Sequence, residues 1–194
     1  MTWLLLAYMR EQGVDIPSFL KRLGLSLGTL MNADARVPLT DLHRLWRAGQ
    51  ESLGDDMLGV LVTGRIDPQS SFSWPPPYSL HEHIGRASAT LRDSILRQSR
   101  VARLMRDGLT VHFDCPHDAP LLRFDFELPN EPVSLADFQL ASCMLLARRV
   151  SDDRTLAPRE VHFSRPTPKD PALYERFFAA PVFRLGFFAV AIQL

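Results

Sequence analysis

The sequence predicts an α+β fold in which short helices come first, an antiparallel β-sheet with a hairpin follows, and helices pack on one face of that sheet. Two patterns support this prediction. Apolar residues recur at helical spacing along Leu39 to Gln50 and Leu91 to Met105, whereas Leu109 to Cys115 and Leu121 to Leu128 alternate with a period of two. The length of 194 residues, with 46% hydrophobic and 23% charged, is typical of one globular domain, here 1–194.

The charge balance and the chain start indicate the compartment. The 22 basic and 22 acidic side chains cancel, so no whole-chain field favours nucleic acid or an anionic membrane. Cys115 and Cys143 lie in apolar contexts without close spacing, which favours buried thiols in a reducing compartment. The seven apolar residues from Trp3 to Met9 are too few for a spanning helix or a signal peptide. We therefore predict a cytoplasmic protein with no membrane partner.

Short helices are predicted over the first sixty residues, each with its own start or stop signal. They run from Trp3 to Gln12, from near Pro17 to Gly24, from Thr40 onward and from Asp55 to Leu61. Thr63 to Tyr78 is then the longest irregular segment, because prolines and a serine cluster break regular structure there. Long irregular loops often carry function, so Trp74 and Tyr78 are candidates for a ligand pocket, although a structural connection fits equally well.

Thr90 and Asp93 predict the start of a helix that runs to about Met105. Its basic residues recur every third position, at Arg97, Arg100, Arg103 and Arg106. Such a row can meet an anionic ligand, which makes Arg97 and Arg100 candidate binding residues. A solvated helix face is the simpler interpretation of the same row.

The hairpin strands predict a sheet with one covered and one largely polar face. Glu160 to Ser164 and Val190 to Leu194 predict two further strands. His112 falls on the polar face, where it could pair with His162 across the sheet or touch a ligand. A satisfied structural histidine is the alternative.

The helix predicted from Leu135 to Val150 has apolar residues around much of its circumference. Leu140, Met144 and Ala147 form a second apolar stripe, which we interpret as a candidate dimer interface. A last helix is predicted after Asp170-Pro171, where the aromatic residues Tyr174, Phe177 and Phe178 are expected to anchor the core.

Motifs for chemistry are sparse. No phosphate-cradling G-x-x-x-x-G-K or G-x-G-x-x-G occurs, and neither cysteine has a local basic partner. His81-Glu82-His83 lacks the further spaced ligands that a metal site needs. We therefore predict no catalytic residue, no metal, no cofactor and no enzyme. A metal- or haem-dependent sensor using histidines is a weaker alternative, with His81, His83, His112 and His162 as its possible ligands.

The segment from Pro158 to Val182, PREVHFSRPTPKDPALYERFFAAPV, resembles the effector-binding N-terminal domain of AraC-type transcription regulators, in the arabinose-binding-like subfamily. Shorter pieces agree in the same order along the chain: Gly13-Val14-Asp15, Leu23-Gly24-Leu25, Arg36 to Leu39 with Leu45-Trp46, Gly54-Asp55 with Leu58-Gly59, and Ser88 to Leu91. The resemblance implies a domain that senses a small molecule and often forms a homodimer. It also implies that DNA is bound only through a C-terminal helix-turn-helix domain absent from this chain.

The resemblance supplies no fixed set of effector contacts. The predicted effector-binding residues therefore come from local chemistry, and they are Trp74, Tyr78, Arg97, Arg100 and His112. The competing hypothesis is an assembly module without a ligand, in which Leu140 and Met144 simply form the dimer.

Overall fold

The structure, a computed structural model, describes residues 2–32, 36–66, 80–114, 120–126, 130–163, 168–184 and 190–193. Its N-terminal part is helical, as the sequence predicts. The helices are α1 (Thr2–Glu11), α2 (Ile16–Leu23), α3 (Leu27–Met31), α4 (Leu39–Leu53) and α5 (Leu58–Gly64). α2 ends where predicted, because Gly24 adopts a left-handed conformation with φ of 64°, and Gly54 ends α4 in the same conformation.

Two details of this helical part differ from the prediction. α3 was missed, since five residues without a side-chain cap give almost no periodic signal. α5 begins three residues later than Asp55 because the Asp55 side chain accepts a hydrogen bond from the Met57 amide at 2.8 Å. That bond holds residues 55–57 in a turn.

The middle of the chain contains α6 (Leu80–Arg86), α7 (Leu91–Met105) and the strands β1 (Leu109–Asp114) and β2 (Leu121–Phe126). The predicted start of α7 is confirmed, since the Asp93 amide donates to the Thr90 hydroxyl at 3.1 Å. The predicted hairpin is also confirmed, with Leu109 opposite Phe126 and Asp114 opposite Leu121.

The last part contains α8 (Val133–Val150), β3 (Glu160–Phe163), α9 (Pro171–Phe178), β4 (Val182–Arg184) and β5 (Val190–Gln193). The strand order is β1-β2-β5-β3-β4. The predicted antiparallel pairing is confirmed for β1–β2, β2–β5 and β3–β5, whereas β3–β4 is parallel and β4 was not predicted. α9 is capped as expected, since the Leu173 amide donates to the Asp170 carboxylate at 3.2 Å.

Two hydrophobic clusters fill the interior. The first cluster joins α1, α2, α4, α5 and the N-terminal half of α8, and it includes Leu5, Phe19, Trp46 and Phe138. The second cluster joins the sheet, α5, α7, α9 and the middle of α8, and it includes Phe124, Leu140, Met144, Phe163, Tyr174 and Phe178. Tyr174 and Phe178 are fully buried, which confirms them as core anchors. α8 therefore belongs to both clusters.

Gly59 sets how closely α5 approaches α8. A Cβ atom at this position would contact the Ser134 carbonyl oxygen and lie 2.6 Å from the Phe138 amide nitrogen and 2.8 Å from Asp137 Cβ. Only glycine allows backbones this near to one another. Beside this contact the Tyr174 hydroxyl donates to the Asp137 carboxylate at 2.5 Å, which ties α9 to α8. None of the described helices is both long and apolar enough to cross a bilayer.

Candidate ligand-binding cavity

A cavity of about 120 Å³ lies between α7, α8 and the hairpin. The wall from α7 consists of residues three or four positions apart: Leu91, Ser94, Ile95, Gln98, Ser99 and Ala102. The wall from α8 repeats the same spacing with Gln139, Ser142, Cys143, Leu146, Ala147 and Val150. The floor is apolar and comes from Leu109, Val111, Leu122 and Phe124. Each helix therefore turns one face to the cavity, as helical periodicity requires.

The two wall helices run in opposite directions. Arg106, just after α7, contacts Glu131, just before α8. At the other end, a Cβ atom on Gly85 of α6 would collide with Val150 in the last turn of α8. The cavity consequently has one end near Arg106 and Gln139 and another near His81 and Val150.

The polar groups at the His81 end satisfy one another. The Gln98 amide nitrogen donates to the Ser94 hydroxyl at 3.0 Å, so its amide oxygen accepts from His81 Nδ1 at 2.9 Å. Burial lowers the pKa of His81 below its ordinary 6.5, and the bond to Gln98 opposes that shift less strongly. The neighbouring Ser99 hydroxyl donates to the Leu96 carbonyl at 2.9 Å. This end therefore presents a neutral imidazole and paired hydroxyls.

The Arg106 end is different, because it holds a buried cation. The Arg106 side chain is 4% exposed, its Nη2 donates to Glu131, and its guanidinium lies 5.3 Å from the centroid of the Phe126 ring. Its Nε and Nη1 have no hydrogen-bond partner among the described residues. Burying such donors unpaired is unfavourable by about 1–3 kcal/mol for each group.

Glu131 connects the cavity to the first cluster. Its second carboxylate oxygen lies 2.8 Å from Nε2 of His43 on α4. Burial is the largest effect on the pKa of His43 and lowers it below 6.5, although Glu131 acts in the opposite direction. One carboxylate therefore contacts both a cavity residue and a helix of the first cluster.

Two α8 residues complete the chemistry of the wall. The Ser142 hydroxyl is buried and has no hydrogen-bond partner in the described ranges. Burial raises the pKa of the Cys143 thiol to about 12, so this cysteine is uncharged and unreactive, as the sequence indicates.

The structure places three of the predicted effector-binding residues outside the cavity wall. Arg97 and Arg100 are exposed on the outer face of α7, where Arg97 Nε donates to Asp93 at 2.9 Å. His112 lies on the polar face of the sheet, with its Nε2 3.1 Å from Asp125. Trp74 and Tyr78 fall outside the described residues. Their part in effector binding stays a prediction, and the cavity geometry does not draw on it.

The interpretation of the arginine row was right for three positions and wrong for one. Arg97, Arg100 and Arg103 are exposed, as a solvated face requires. Arg106 is buried because α7 ends at Met105 and residue 106 is extended, with φ of −151°. Its side chain therefore leaves the helical row and turns inward. No signal in the sequence distinguished it from its neighbours.

His112 and His162 lie apart in the sheet. His112 lies on β1 and His162 on β3, with β2 and β5 between those strands, so the proposed pairing across the sheet is wrong. His162 instead lies 2.9 Å from Glu160. No group of three or more His, Cys, Asp or Glu side chains in the described part of the chain could hold a metal ion.

The candidate dimer stripe lies inside the single chain. Leu140 and Met144 are each 1% exposed within the second cluster, and Ala147 lines the cavity. α5, α9 and the sheet cover this face, so its apolar character needs no second subunit. The sequence also contains one serine motif with the spacing of a nucleophile elbow. Gly24-Leu25-Ser26-Leu27-Gly28 has the G-x-S-x-G spacing, but Ser26 lies between two helices and not on a strand-to-helix elbow.

Comparison with known proteins identifies the class. The family model described as the arabinose-binding domain of AraC transcription regulator, N-terminal, matches residues 13–184. The chain therefore belongs to the family of N-terminal domains of AraC-type transcription regulators. Among curated proteins, no sequence matches it.

A solved structure supports the same fold. The crystal structure of the transcriptional regulator CdpR from Pseudomonas aeruginosa is similar with a TM-score of 0.57 and 14% sequence identity. The match covers 92% of this chain and 52% of that one, so this chain spans about half the length of that regulator.

Proposed function

We propose that this chain is the ligand-sensing and dimerisation domain of an AraC-type DNA-binding regulator, and that its effector binds in the cavity between α7 and α8. The family supports the regulatory role. The observation that carries the sensing role is the cavity, in which Arg106 and Ser142 keep buried, unsatisfied polar atoms beside an apolar floor. Ligand sites typically combine apolar walls with a few such polar groups.

A thermal-shift screen of a metabolite panel tests the sensing role. A ligand that binds only the folded chain raises its melting temperature. The variant Ala147→Phe fills the cavity with a ring, whereas Ala87→Phe adds the same ring at an exposed position. The expected result is a ligand that stabilises the wild type and Ala87→Phe but not Ala147→Phe. No stabilising ligand, or a shift that persists in Ala147→Phe, would contradict the proposal.

Glu131 suggests how an effector changes the rest of the regulator. An anionic effector that bonds Arg106 adds a second negative charge beside Glu131, which also contacts His43 on α4. Occupancy of the cavity thereby alters the packing of α4. An effector can shift an arrangement only by such differential contacts.

Dimerisation rests on the family resemblance, since Leu140 and Met144 are interior. The two activities are separable in one experiment: sedimentation velocity across a wide concentration range, with and without a stabilising ligand. A monomer at every concentration would remove dimerisation from the proposal and leave sensing intact. DNA is contacted, on this proposal, by a domain outside this chain, and the regulator acts in the cytoplasm.

A further inference from the structure

The polar groups of the cavity divide into satisfied and unsatisfied ones. His81, Gln98, Ser94 and Ser99 are bonded to each other or to the backbone. These side chains therefore do not need a hydrogen bond from a ligand. Arg106 and Ser142 keep unpaired polar atoms, and both side chains are more than nine-tenths buried. A ligand therefore gains most from hydrogen bonds to these two residues, and the Gln139 amide lies on the same wall.

The unsatisfied donors of Arg106 and Ser142 favour a ligand that has a negatively charged hydrogen-bond acceptor. A guanidinium has five N–H donors and no acceptor, and only Nη2 of Arg106 is engaged by Glu131. The Ser142 hydroxyl can donate as well. Arg106 is the one formal charge among the described residues that line the cavity, and Glu131, which pairs with its Nη2, does not line it.

The rest of the wall limits the size and the polarity of the ligand. The floor is apolar and has no hydrogen-bonding side chain for the hydroxyl groups of a sugar; it consists of Leu109, Val111, Leu122 and Phe124. The volume of about 120 Å³ is somewhat below that of an engineered cavity of about 150 Å³ that binds benzene. A compact hydrocarbon body with one polar head fits these walls, whereas a pentose would bury several unpaired hydroxyls.

We propose that the cavity binds a small apolar monocarboxylate whose carboxylate accepts hydrogen bonds from Arg106 and Ser142 while its hydrocarbon body packs between α7 and α8. This assignment rests on the proposed sensing function and names the chemical class of the effector. Charge-assisted hydrogen bonds of this kind are about twice as strong as neutral ones. They therefore select an acid over an amide or an alcohol of the same shape.

Isothermal titration calorimetry on the full chain tests the class with matched probes. The probes are 3-methylbutanoate, 2-methylpropanoate, 3-methylbutanamide, 3-methylbutylamine and L-arabinose. The expected result is that a carboxylate binds about tenfold or more tightly than the isosteric amide, and that the amine and the sugar do not bind. Equal affinity for acid and amide, or binding of the sugar in preference to both acids, would overturn the inference.

Three variants locate the carboxylate. Arg106→Gln should lower carboxylate affinity about tenfold or more and abolish the preference for acid over amide. Because that change removes one of the two partners of Glu131, folding is checked by circular dichroism. Ser142→Ala removes an unpaired hydroxyl, so it leaves the fold intact and should lower affinity about fivefold. Arg159→Gln, an exposed position before β3, is the matched control and should bind like the wild type. Unchanged affinity in folded Arg106→Gln and Ser142→Ala would overturn the assignment.

These experiments distinguish an error in the carboxylate class from an error in the sensing function. If the sugar or the amide binds and Ala147→Phe blocks it, the sensing function stands and the carboxylate class is wrong. If none of the probes binds and no metabolite stabilises the chain, both are wrong.

Discussion

The two hydrophobic clusters share α8 but are packed differently. In the first cluster a Cβ atom at Gly49 would already lie 3.3 Å from the Met9 sulfur, and one at Gly59 would enter the backbone of α8. The second cluster borders a partly open cavity of about 120 Å³ that has buried polar atoms in its wall. The first cluster is thus close-packed, whereas the second leaves space between α7 and α8.

Substitution of Gly59 should have the largest effect. Gly59→Ala forces a methyl group against backbone atoms of Ser134 and Phe138, which cannot move aside like a side chain, so we expect a loss of about 3 kcal/mol or more. Gly64→Ala in the same helix meets nothing within 4 Å and should change stability by no more than about 1 kcal/mol, in the stabilising direction. Urea denaturation of both variants measures the difference. Equal stability would show that the α5–α8 contact is not tight.

Removal of the Arg148 guanidinium should cause the next largest loss of folding stability. Its guanidinium donates to the carbonyls of Leu156, Phe177 and Phe178 at 2.9–3.2 Å and thereby holds the C-terminal end of α9 against α8. Arg148→Met keeps the length but leaves those carbonyls without a donor, and we expect a loss of about 2 kcal/mol. Arg154→Met at an exposed position is the control. If both variants unfold at the same urea concentration, these hydrogen bonds do not stabilise the second cluster.

Enlarging a side chain tests the cavity directly. Ala147 and Ala141 lie on α8 within the second cluster, but only Ala147 lines the cavity, and Ala141 is fully buried. Ala141→Leu should destabilise by about 1–3 kcal/mol because the site is full. Ala147→Leu should stay within about 1 kcal/mol of the wild type, since the cavity accepts the added carbons. In thermal denaturation, Ala147→Leu should therefore have a higher melting temperature than Ala141→Leu. The reverse order would mean that the cavity beside Ala147 has no room for the larger side chain.

The smallest predicted effect is a change in how the stability of the fold depends on pH. The pKa of His81 is lowered by burial, so the unfolded chain takes up a proton at a higher pH than the folded chain does. Stability is then complete above pH 6.5 and falls as the pH drops below 6.5 towards the folded pKa. His81→Gln should flatten the stability profile between about pH 7 and 5. His43 shifts in the same direction, so part of the slope remains.

The exposed His83 on the same helix provides the matched control. His83→Gln should keep the wild-type profile of stability against pH in the same denaturation series. A profile that is unchanged in His81→Gln would mean that the imidazole is not held neutral at the cavity.

Local sequence signals were enough for most of the fold. The Thr90 cap, the alternation in the hairpin and the Asp170-Pro171 start act over a few residues, and each gave the observed element. Short elements such as α3 and β4 were missed because three to five residues carry too little periodicity. The parallel pairing of β3 and β4 depends on tertiary packing and has no local signature.

The candidate site was far less predictable. Its apolar wall on α7 followed from the helical period at Leu91, Ile95 and Ala102. The burial of Arg106 did not follow from the sequence, because it depends on the end of α7 and on Glu131, 25 residues further along the chain. The apolar stripe of Leu140 and Met144 was visible, but the sequence could not tell whether another subunit or the chain itself covers it.

α8 has a consequence for folding. Its 18 residues extend about 27 Å at 1.5 Å per residue, and Phe138 in one cluster is only two positions from Leu140 in the other. Neither cluster can lose its packing without releasing a helix that the other needs. The described parts of the chain should therefore unfold in one cooperative transition, and a ligand bound at one end should slow hydrogen exchange in the amides of both clusters.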